Sequence, residues 1–332
     1  MVEKKGYIIP FAKMRGTSSF SSLSVVKKLL GTNKVGHTGT LDSFADGLLV
    51  LLSGKLTRIA QFIEAKKKKY EALLVFGIHK DTLDVFGKVI RKSNLPKAHQ
   101  IKKVIEGFEG YSMQEPPQFS ALHVSGKRAS DIARKGGNPL LAPRRVYIER
   151  IVIKGISFSN DLTMIEWNDD VENKSENVRA LHIEVVCSKG TYIRALGRDI
   201  AFSLGTVGYI RALRRLSIGA FNLENAFGFT SLPPFLSSEL EIAEKYRENL
   251  DGYAHPLSKK ICASLGLLVL EIKEDFARCF LQGKEIKSRW FYNIDEKKDI
   301  LVNTKTAFVF FLEEALGIID FSNGFFRYKF VL

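Results

Sequence analysis

The sequence predicts an α+β protein with two domains. Segments with strand and helix patterns follow one another without the regular strand–helix–strand alternation of a doubly wound fold. The 332 residues exceed a typical single domain, and a hydrophobic content of 45% is ample for packed cores. The short apolar runs of residues 251–332 are spaced as in a small β-barrel or sandwich.

The N-terminal elements follow from local patterns. Residues 7–11 read as a short strand, and helical spacing of apolar residues from Ser21 to Leu30 predicts a helix that ends at Gly31. The apolar run Leu48–Leu52 predicts a buried strand, and residues 157–178 predict a polar hairpin. Further predicted elements are helices at 56–64, 98–108, 127–136 and 191–203, and strands at 70–76, 85–91, 119–124, 146–156, 179–186 and 209–218.

A domain boundary is predicted near Asn249–Pro256, after a helix at about 237–249. We therefore divide the chain into residues 1–250 and residues 251–332. Five apolar runs predict the strands of the second domain: Leu265–Ile272, Ile300–Val302, Ala307–Leu312, Gly317–Phe321 and Phe325–Leu332.

Positive charge is concentrated in the first domain. Residues 251–332 contain 12 Lys and Arg against 11 Asp and Glu, a balance of +1, which leaves +13 of the net +14 for residues 1–250. The positive electrostatic field of such a domain favours binding of a polyanion, because binding releases the counterions of the polyanion. An acidic membrane surface is the alternative, but no basic amphipathic helix with aromatic anchors supports it.

Several classes of protein find no support in the sequence. No apolar segment reaches the roughly 18 residues of a membrane span, and the N-terminus lacks the apolar core of a signal peptide. Cys187, Cys262 and Cys279 are far apart and form no C-x-x-C pair, so a zinc site is not indicated and a reducing cytoplasm fits. No P-loop, G-x-S-x-G or H-E-x-x-H motif occurs.

Asp42 stands in a glycine-bounded turn directly before the predicted buried strand. Loops held by a rigid scaffold often carry reactive groups, and no metal-ligand cluster surrounds this acid. Its position suggests chemistry by the carboxylate itself. The alternative is structural, because turn aspartates commonly accept hydrogen bonds from their own backbone.

The residue order around Asp42 is specific. Gly-His-Thr-Gly-Thr-Leu-Asp at 36–42, followed by Ala-x-Gly-Leu-Leu, resembles the active-site motif of the bacterial tRNA pseudouridine-55 synthases, the TruB family. Further stretches resemble the family's motifs in the expected order, and together they cover about residues 7–220: 13–19, 69–72, 114–121, 187–194 and 213–216. A weaker resemblance, around Phe276–Ile286, is to the family's PUA-like domain.

The resemblance implies a fold and a reaction. The fold would be a catalytic domain with a mixed, largely antiparallel sheet, followed by a PUA-like β-barrel. The protein would be a monomer that isomerises the uridine at position 55 in the T-arm loop of tRNA. This reaction breaks the N1–C1′ bond, turns the base and forms a C5–C1′ bond. It requires no redox step and no group donor, so no cofactor is expected.

The resemblance also implies catalytic residues. Asp42 would be the nucleophile, and Arg194 would pair with it and keep it charged. Tyr70 would stack on the target base, and its hydroxyl could relay a proton. The structural alternatives are that Arg194 contacts phosphate or lies on a solvated helix face, and that Tyr70 is a half-buried strand residue.

Other positions are implied to bind the substrate. Tyr192 and Leu213 would line the pocket, and His37 would occupy the space that flipped nucleotides leave in the loop. Residues 119–145 would close over the RNA like a thumb. Lys13 belongs to the matched N-terminal motif. The candidates for phosphate contacts are Lys66–Lys69, among them Lys69, with Lys127, Arg128, Arg134, Lys135, Arg144, Arg145, Arg211, Arg214 and Arg215.

The chain departs from the family pattern at several loop positions. Ser43 replaces the proline after the aspartate, and Met14 replaces the proline of the N-terminal motif. Phe119, His123 and Ser130 also differ from the usual residues. These changes bear on loop geometry and RNA grip. They do not touch the nucleophile or the reaction class. The charge asymmetry and the two-domain layout suit a second function equally well, an RNA-binding or tRNA-folding module in which catalysis is lost or incidental.

Overall fold

The computed structural model describes residues 6–237, 249–292 and 294–332. Within these ranges, one large sheet of ten strands carries the N-terminal part of the chain. Its strands are β1 (Ile8–Lys13), β2 (Val35–His37), β3 (Asp46–Ser53), β4 (Lys68–Phe76), β7 (Gly110–Gln114), β10 (Arg144–Ser157), β11 (Ile165–Glu166), β12 (Ala180–Cys187), β13 (Gly208–Ile218) and β14 (Phe221–Asn222). Two small hairpins add β5 (Ile78–Lys80), β6 (Val89–Lys92), β8 (His123–Val124) and β9 (Lys127–Arg128).

The large sheet is mixed and largely antiparallel, which confirms the predicted fold class. Its main order is β1-β3-β13-β4-β12-β10-β11, and β3 and β13 are its parallel neighbours. Their contact requires Gly47, which has a φ of +108° and lies opposite Arg215. A Cβ atom there would lie 2.5 Å from the Arg215 carbonyl oxygen, so only glycine allows this approach.

Helices cover the large sheet. Helix α1 begins with a capping box between Ser18 and Ser21 and ends at Gly31 in the left-handed conformation. Helix α6 packs through Leu196 and Ile200 in the same core cluster as Leu74 of β4. The helices are α1 (Ser19–Leu30), α2 (Ala60–Glu64), α3 (Ala98–Glu106), α4 (Ala129–Arg134), α5 (Asp169–Glu172), α6 (Ile193–Ser203), α7 (Lys259–Ser264), α8 (Glu274–Leu281) and α9 (Lys298–Thr304).

The C-terminal part forms a separate sheet that shares a core with the first part. Strands β15 (Val269–Glu271), β16 (Thr306–Phe311), β17 (Glu314–Ser322) and β18 (Phe325–Val331) pair in this order. Phe308 packs in one cluster with residues of β1 and β3, and its ring meets Phe62 edge-on at 5.2 Å. A small β domain fits the PUA-like expectation, although the described strand pairs do not close it into a barrel.

Some predicted elements differ from the structure. Residues 300–302, predicted as a strand, lie in helix α9, since a short apolar run alone cannot distinguish the two. The strand predicted at 119–124 is limited to β8, and the strand at 265–272 begins only at Val269. The helix predicted at 56–64 begins as a 3-10 helix, Gly54–Ile59. The helix predicted at 237–249 falls mainly outside the described residues.

Candidate active site

Asp42 lies in the loop between β2 and β3, and neighbouring segments hold this loop in place. The Ser19 hydroxyl donates to the Leu41 carbonyl and accepts from the Leu41 N–H, both at 2.9 Å. The Gly16 N–H donates to the Ser43 carbonyl at 2.8 Å. These hydrogen bonds hold the backbone on both sides of Asp42. They do so although Ser43 stands where the motif that the sequence resembles has proline.

Asp42 accepts two hydrogen bonds from Arg194 in a bidentate ion pair. The guanidinium donates from Nε to Oδ2 at 2.8 Å and from Nη2 to Oδ1 at 3.0 Å. The Arg194 side chain is 4% exposed, whereas that of Asp42 is 36% exposed. The arginine is thus buried behind the carboxylate, and the carboxylate itself faces an opening.

The remaining donors of Arg194 bind the backbone. Nη1 donates to the Thr82 carbonyl and Nη2 to the Phe119 carbonyl, each at 2.9 Å. The Asp84 carboxylate lies 3.6 Å from Nη1, and burial raises the pKa of Asp84 while Arg194 opposes that rise. This geometry rules out the alternatives of a solvated or phosphate-binding Arg194.

A cavity of about 280 Å³ opens beside this ion pair. Its size is at the lower end of the range for ligand pockets, which suits one small planar group rather than a long ligand. The residues that line the cavity include Asp42, Tyr70, Lys68, Tyr192, Leu213 and Arg215. Tyr70, Tyr192 and Leu213 were all assigned to the pocket from the sequence, and the structure brings them together with Asp42.

The two tyrosines of the cavity are held as neutral phenols. Burial raises the pKa of Tyr70 and of Tyr192, so both hydroxyl groups stay protonated near neutral pH. The Gln114 side chain fixes the backbone of Tyr192, because Oε1 accepts from its N–H at 2.8 Å and Nε2 donates to its carbonyl at 3.2 Å. Sequence reasoning did not assign this role to Gln114.

Arg214 and Arg215 are buried, which corrects the expectation that they contact phosphate. Arg215 is 1% exposed and donates to the Leu48 carbonyl at 2.7 Å and to the Thr40 carbonyl at 3.3 Å. Arg214 binds the fully buried Asp46 through Nε at 2.6 Å and Nη2 at 3.1 Å. Both guanidinium groups therefore bind partners within the protein.

Lys13 and Lys69 are also engaged within the protein. Lys13 is fully buried, and its Nζ donates to the Thr17 and Ala45 carbonyls at 2.7 Å. It therefore supports the loop around Asp42, which corrects its assignment to substrate binding. Lys69 lies on the sheet face opposite Tyr70 and pairs with Glu184 at 2.9 Å, so it does not point into the cavity.

His37 lies on β2, opposite Leu51 of β3 and two residues before the first residues that line the cavity. Its side chain is half-buried, its buried Nδ1 has no hydrogen-bond partner, and burial lowers its pKa. Burial therefore favours the neutral form of the His37 imidazole.

The sequence analysis did not predict the burial and the partners of two charged residues, Asp46 and Lys68. Asp46 was not singled out, although it stands four residues after Asp42 and pairs with Arg214. Lys68 was counted only within a lysine run, but it is 6% exposed and donates to the Lys66 carbonyl at 2.8 Å. The signal for Lys68 was its strand position, since it and Tyr70 share one face of β4.

Lys68 gives a test of this burial. Desolvation, followed by the charge of Arg215, lowers the pKa of Lys68 from its ordinary value to about 8. Between pH 8 and pH 10 the unfolded chain therefore binds more protons here than the folded chain, and folding gains stability as pH rises. Relative to Lys68→Met, the wild type should gain up to about 2 kcal/mol over this range.

The measurement is urea unfolding of both proteins at pH 7, 8, 9 and 10. Lys67→Met is the matched control, because Lys67 is exposed and its hydrogen bond to Glu149 raises its pKa. The difference in the free energy of unfolding between Lys67→Met and the wild type should not change between pH 8 and pH 10. An equally flat difference for Lys68→Met contradicts the lowered pKa.

Two features are absent from the part of the chain that the structure describes. Among residues 6–237, 249–292 and 294–332, no group of three or more His, Cys, Asp or Glu side chains is placed to hold a metal ion. Across the same residues, no helix has the length and apolarity needed to cross a membrane.

Comparisons with known proteins agree on one family. A model of the family described as TruB family pseudouridylate synthase (N terminal domain) matches residues 27–193. A protein from Treponema denticola named tRNA pseudouridine synthase B is 41% identical, and the match covers 99% of this chain and 98% of that protein. A protein of the same name from Treponema pallidum is 33% identical, with 96% and 95% covered.

Solved structures show the same fold at lower identity. A chain from a crystal structure of a Cbf5-Nop10-Gar1 complex has a TM-score of 0.63 and 19% identity, and the match covers 99% of this chain and 85% of that chain. The family match, the relatives and the residues around the cavity agree. The chain belongs to the TruB family of pseudouridylate synthases.

Proposed function

We propose that this protein converts the uridine at position 55 in the T-arm loop of tRNA into pseudouridine. The observation that carries the proposal is the bidentate pair of Asp42 with the buried Arg194 at the mouth of a cavity sized for one base. An RNA-binding module without catalysis would not need such a pair. The relatives named tRNA pseudouridine synthase B support the substrate.

Asp42 acts as the nucleophile in the proposed mechanism. Arg194 binds both carboxylate oxygens and so fixes the orientation of the nucleophile. Tyr70 and Leu213 line the cavity and would retain the detached base while it turns. Asp42 forms a covalent bond to the nucleoside as the N1–C1′ bond breaks, and this bond breaks again to free the carboxylate. The C5–C1′ bond forms, the C5 proton leaves and N1 gains a proton, so substrate and product have the same atoms.

We further propose a function for each part of the chain. Residues 1–250 are the catalytic domain, and residues 251–332 are a PUA-like RNA-binding domain. Residues 119–145 form the thumb that closes over the RNA. The positive charge of the first domain supports RNA as the partner. We also propose that the protein is a cytoplasmic monomer and acts on tRNA.

The test is tritium release from a T-arm stem-loop that carries [5-³H]uridine at position 55. Because C5 loses its hydrogen when the C5–C1′ bond forms, we expect release in proportion to turnover. A stem-loop labelled at another loop uridine is the control and should release none. RNA binding without release from position 55 would contradict the proposal and favour the non-catalytic module.

A further inference from the structure

Four side chains on β7 and β10 form a cluster that we call the aromatic platform: Tyr111, Met113, Arg145 and Tyr147. Tyr147 is half-buried, and the other three are exposed. The two strands are antiparallel, and Tyr111 pairs with Tyr147 while Met113 pairs with Arg145. Directly opposed residues point to the same face of a sheet, so these four lie together. Tyr111 is 68% exposed and Met113 is 65% exposed.

The platform is ordered yet open. The Arg145 guanidinium lies 4.0 Å from the centroid of the Tyr111 ring, and the rings of Tyr111 and Tyr147 are 4.7 Å apart. These contacts fix the ring of Tyr111, but most of its surface remains accessible. The core does not require these residues, because Val146 and Ile148 alternate with them and are buried on the other face.

The platform stands at the base of the thumb. Strand β7 leads into the thumb residues, and β10 leads out of them. The same strands also hold the wall of the cavity. Ser188 donates its N–H to the Tyr147 carbonyl at 2.8 Å, and its hydroxyl accepts from the Tyr147 N–H at 3.0 Å. Since Ser188 lines the cavity, the platform is one strand away from the site.

We propose that an unpaired base of the RNA substrate stacks on Tyr111 of this platform, outside the catalytic cavity. This inference rests on the proposed function. Unpaired bases of RNA stack on aromatic rings and arginine planes, and the platform presents both. The charge also fits, because Arg145 has an accessible cationic head and Lys67 pairs with Glu149, the nearby acid of β10.

The test compares RNA affinity of Tyr111→Phe and Tyr111→Leu with wild type, using full-length tRNA and the T-arm stem-loop. Tyr111→Phe keeps the ring and should bind as the wild type does. Tyr111→Leu should bind full-length tRNA about tenfold or more weakly, the scale of one base–aromatic stack. The slope of log affinity against log salt should stay unchanged, because the lost contact is uncharged.

Phe202→Leu is the matched control. Phe202 is 49% exposed, its ring lies 5.9 Å from that of His79, and it stands in the last turn of α6, whereas Arg194 is in the first. It should leave affinity unchanged. Unchanged affinity of Tyr111→Leu overturns the platform, as does wild-type self-association that Tyr111→Leu abolishes, since the partner would then be a second copy. Tritium release by the wild type separates these outcomes from failure of the proposed function.

Discussion

Replacing Asp42 with asparagine is expected to lower the rate of pseudouridine formation by about 10⁴-fold or more. The amide has nearly the same shape but carries no charge and is a poor nucleophile. Arg194 keeps the Thr82 and Phe119 carbonyls as hydrogen-bond acceptors, so the fold of the site should survive. The loss should therefore appear in the chemical step rather than in RNA binding.

The measurement is single-turnover tritium release together with binding of the T-arm stem-loop. Asp199→Asn is the matched control. The Asp199 carboxylate also accepts a hydrogen bond from an arginine of α6, because Arg198 Nε donates to it at 2.8 Å. Asp199 does not line the cavity. It should react at nearly the wild-type rate. If Asp42→Asn turned over as fast as Asp199→Asn, Asp42 would not be the nucleophile.

Replacing Arg214 with methionine is expected to destabilise the protein by about 3–5 kcal/mol. The substitution leaves the Asp46 carboxylate fully buried without its bidentate partner, and Arg15 at 3.4 Å is too distant to replace it well. A loss of this size is a large share of the stability of a typical domain. The measurement is urea unfolding at pH 7.

Two further variants make this prediction specific. Lys102→Met breaks an exposed ion pair with Glu172 and should cost less than about 1 kcal/mol. The double variant Asp46→Asn with Arg214→Met removes both charges and should recover part of the loss. A cost for Arg214→Met as small as that for Lys102→Met would mean that Asp46 and Arg214 are not coupled as described.

Local patterns predicted most of the large sheet because its signals are local. The apolar run at 48–52 lies within β3, and the alternating segment at 146–156 lies within β10. The alternating segment at 179–186 begins one residue before β12. The helix predicted at 21–30 lies within α1, which ends before Gly31 as the sequence predicts. The prediction of a strand at 300–302 was wrong, because three consecutive apolar residues fit a helix equally well.

The resemblance of the motifs to one family predicted that Arg194 pairs with Asp42. The sequence could not separate Arg194 from Arg214 and Arg215 by chemistry, because all three carry the same guanidinium. Their partners follow from the tertiary structure. Alternation along β13 turns Leu213 and Arg215 towards the cavity and Arg214 towards Asp46 on the neighbouring parallel strand. Which carboxylate an arginine meets depends on strand pairing between distant segments, and composition and spacing along the chain do not encode that pairing locally.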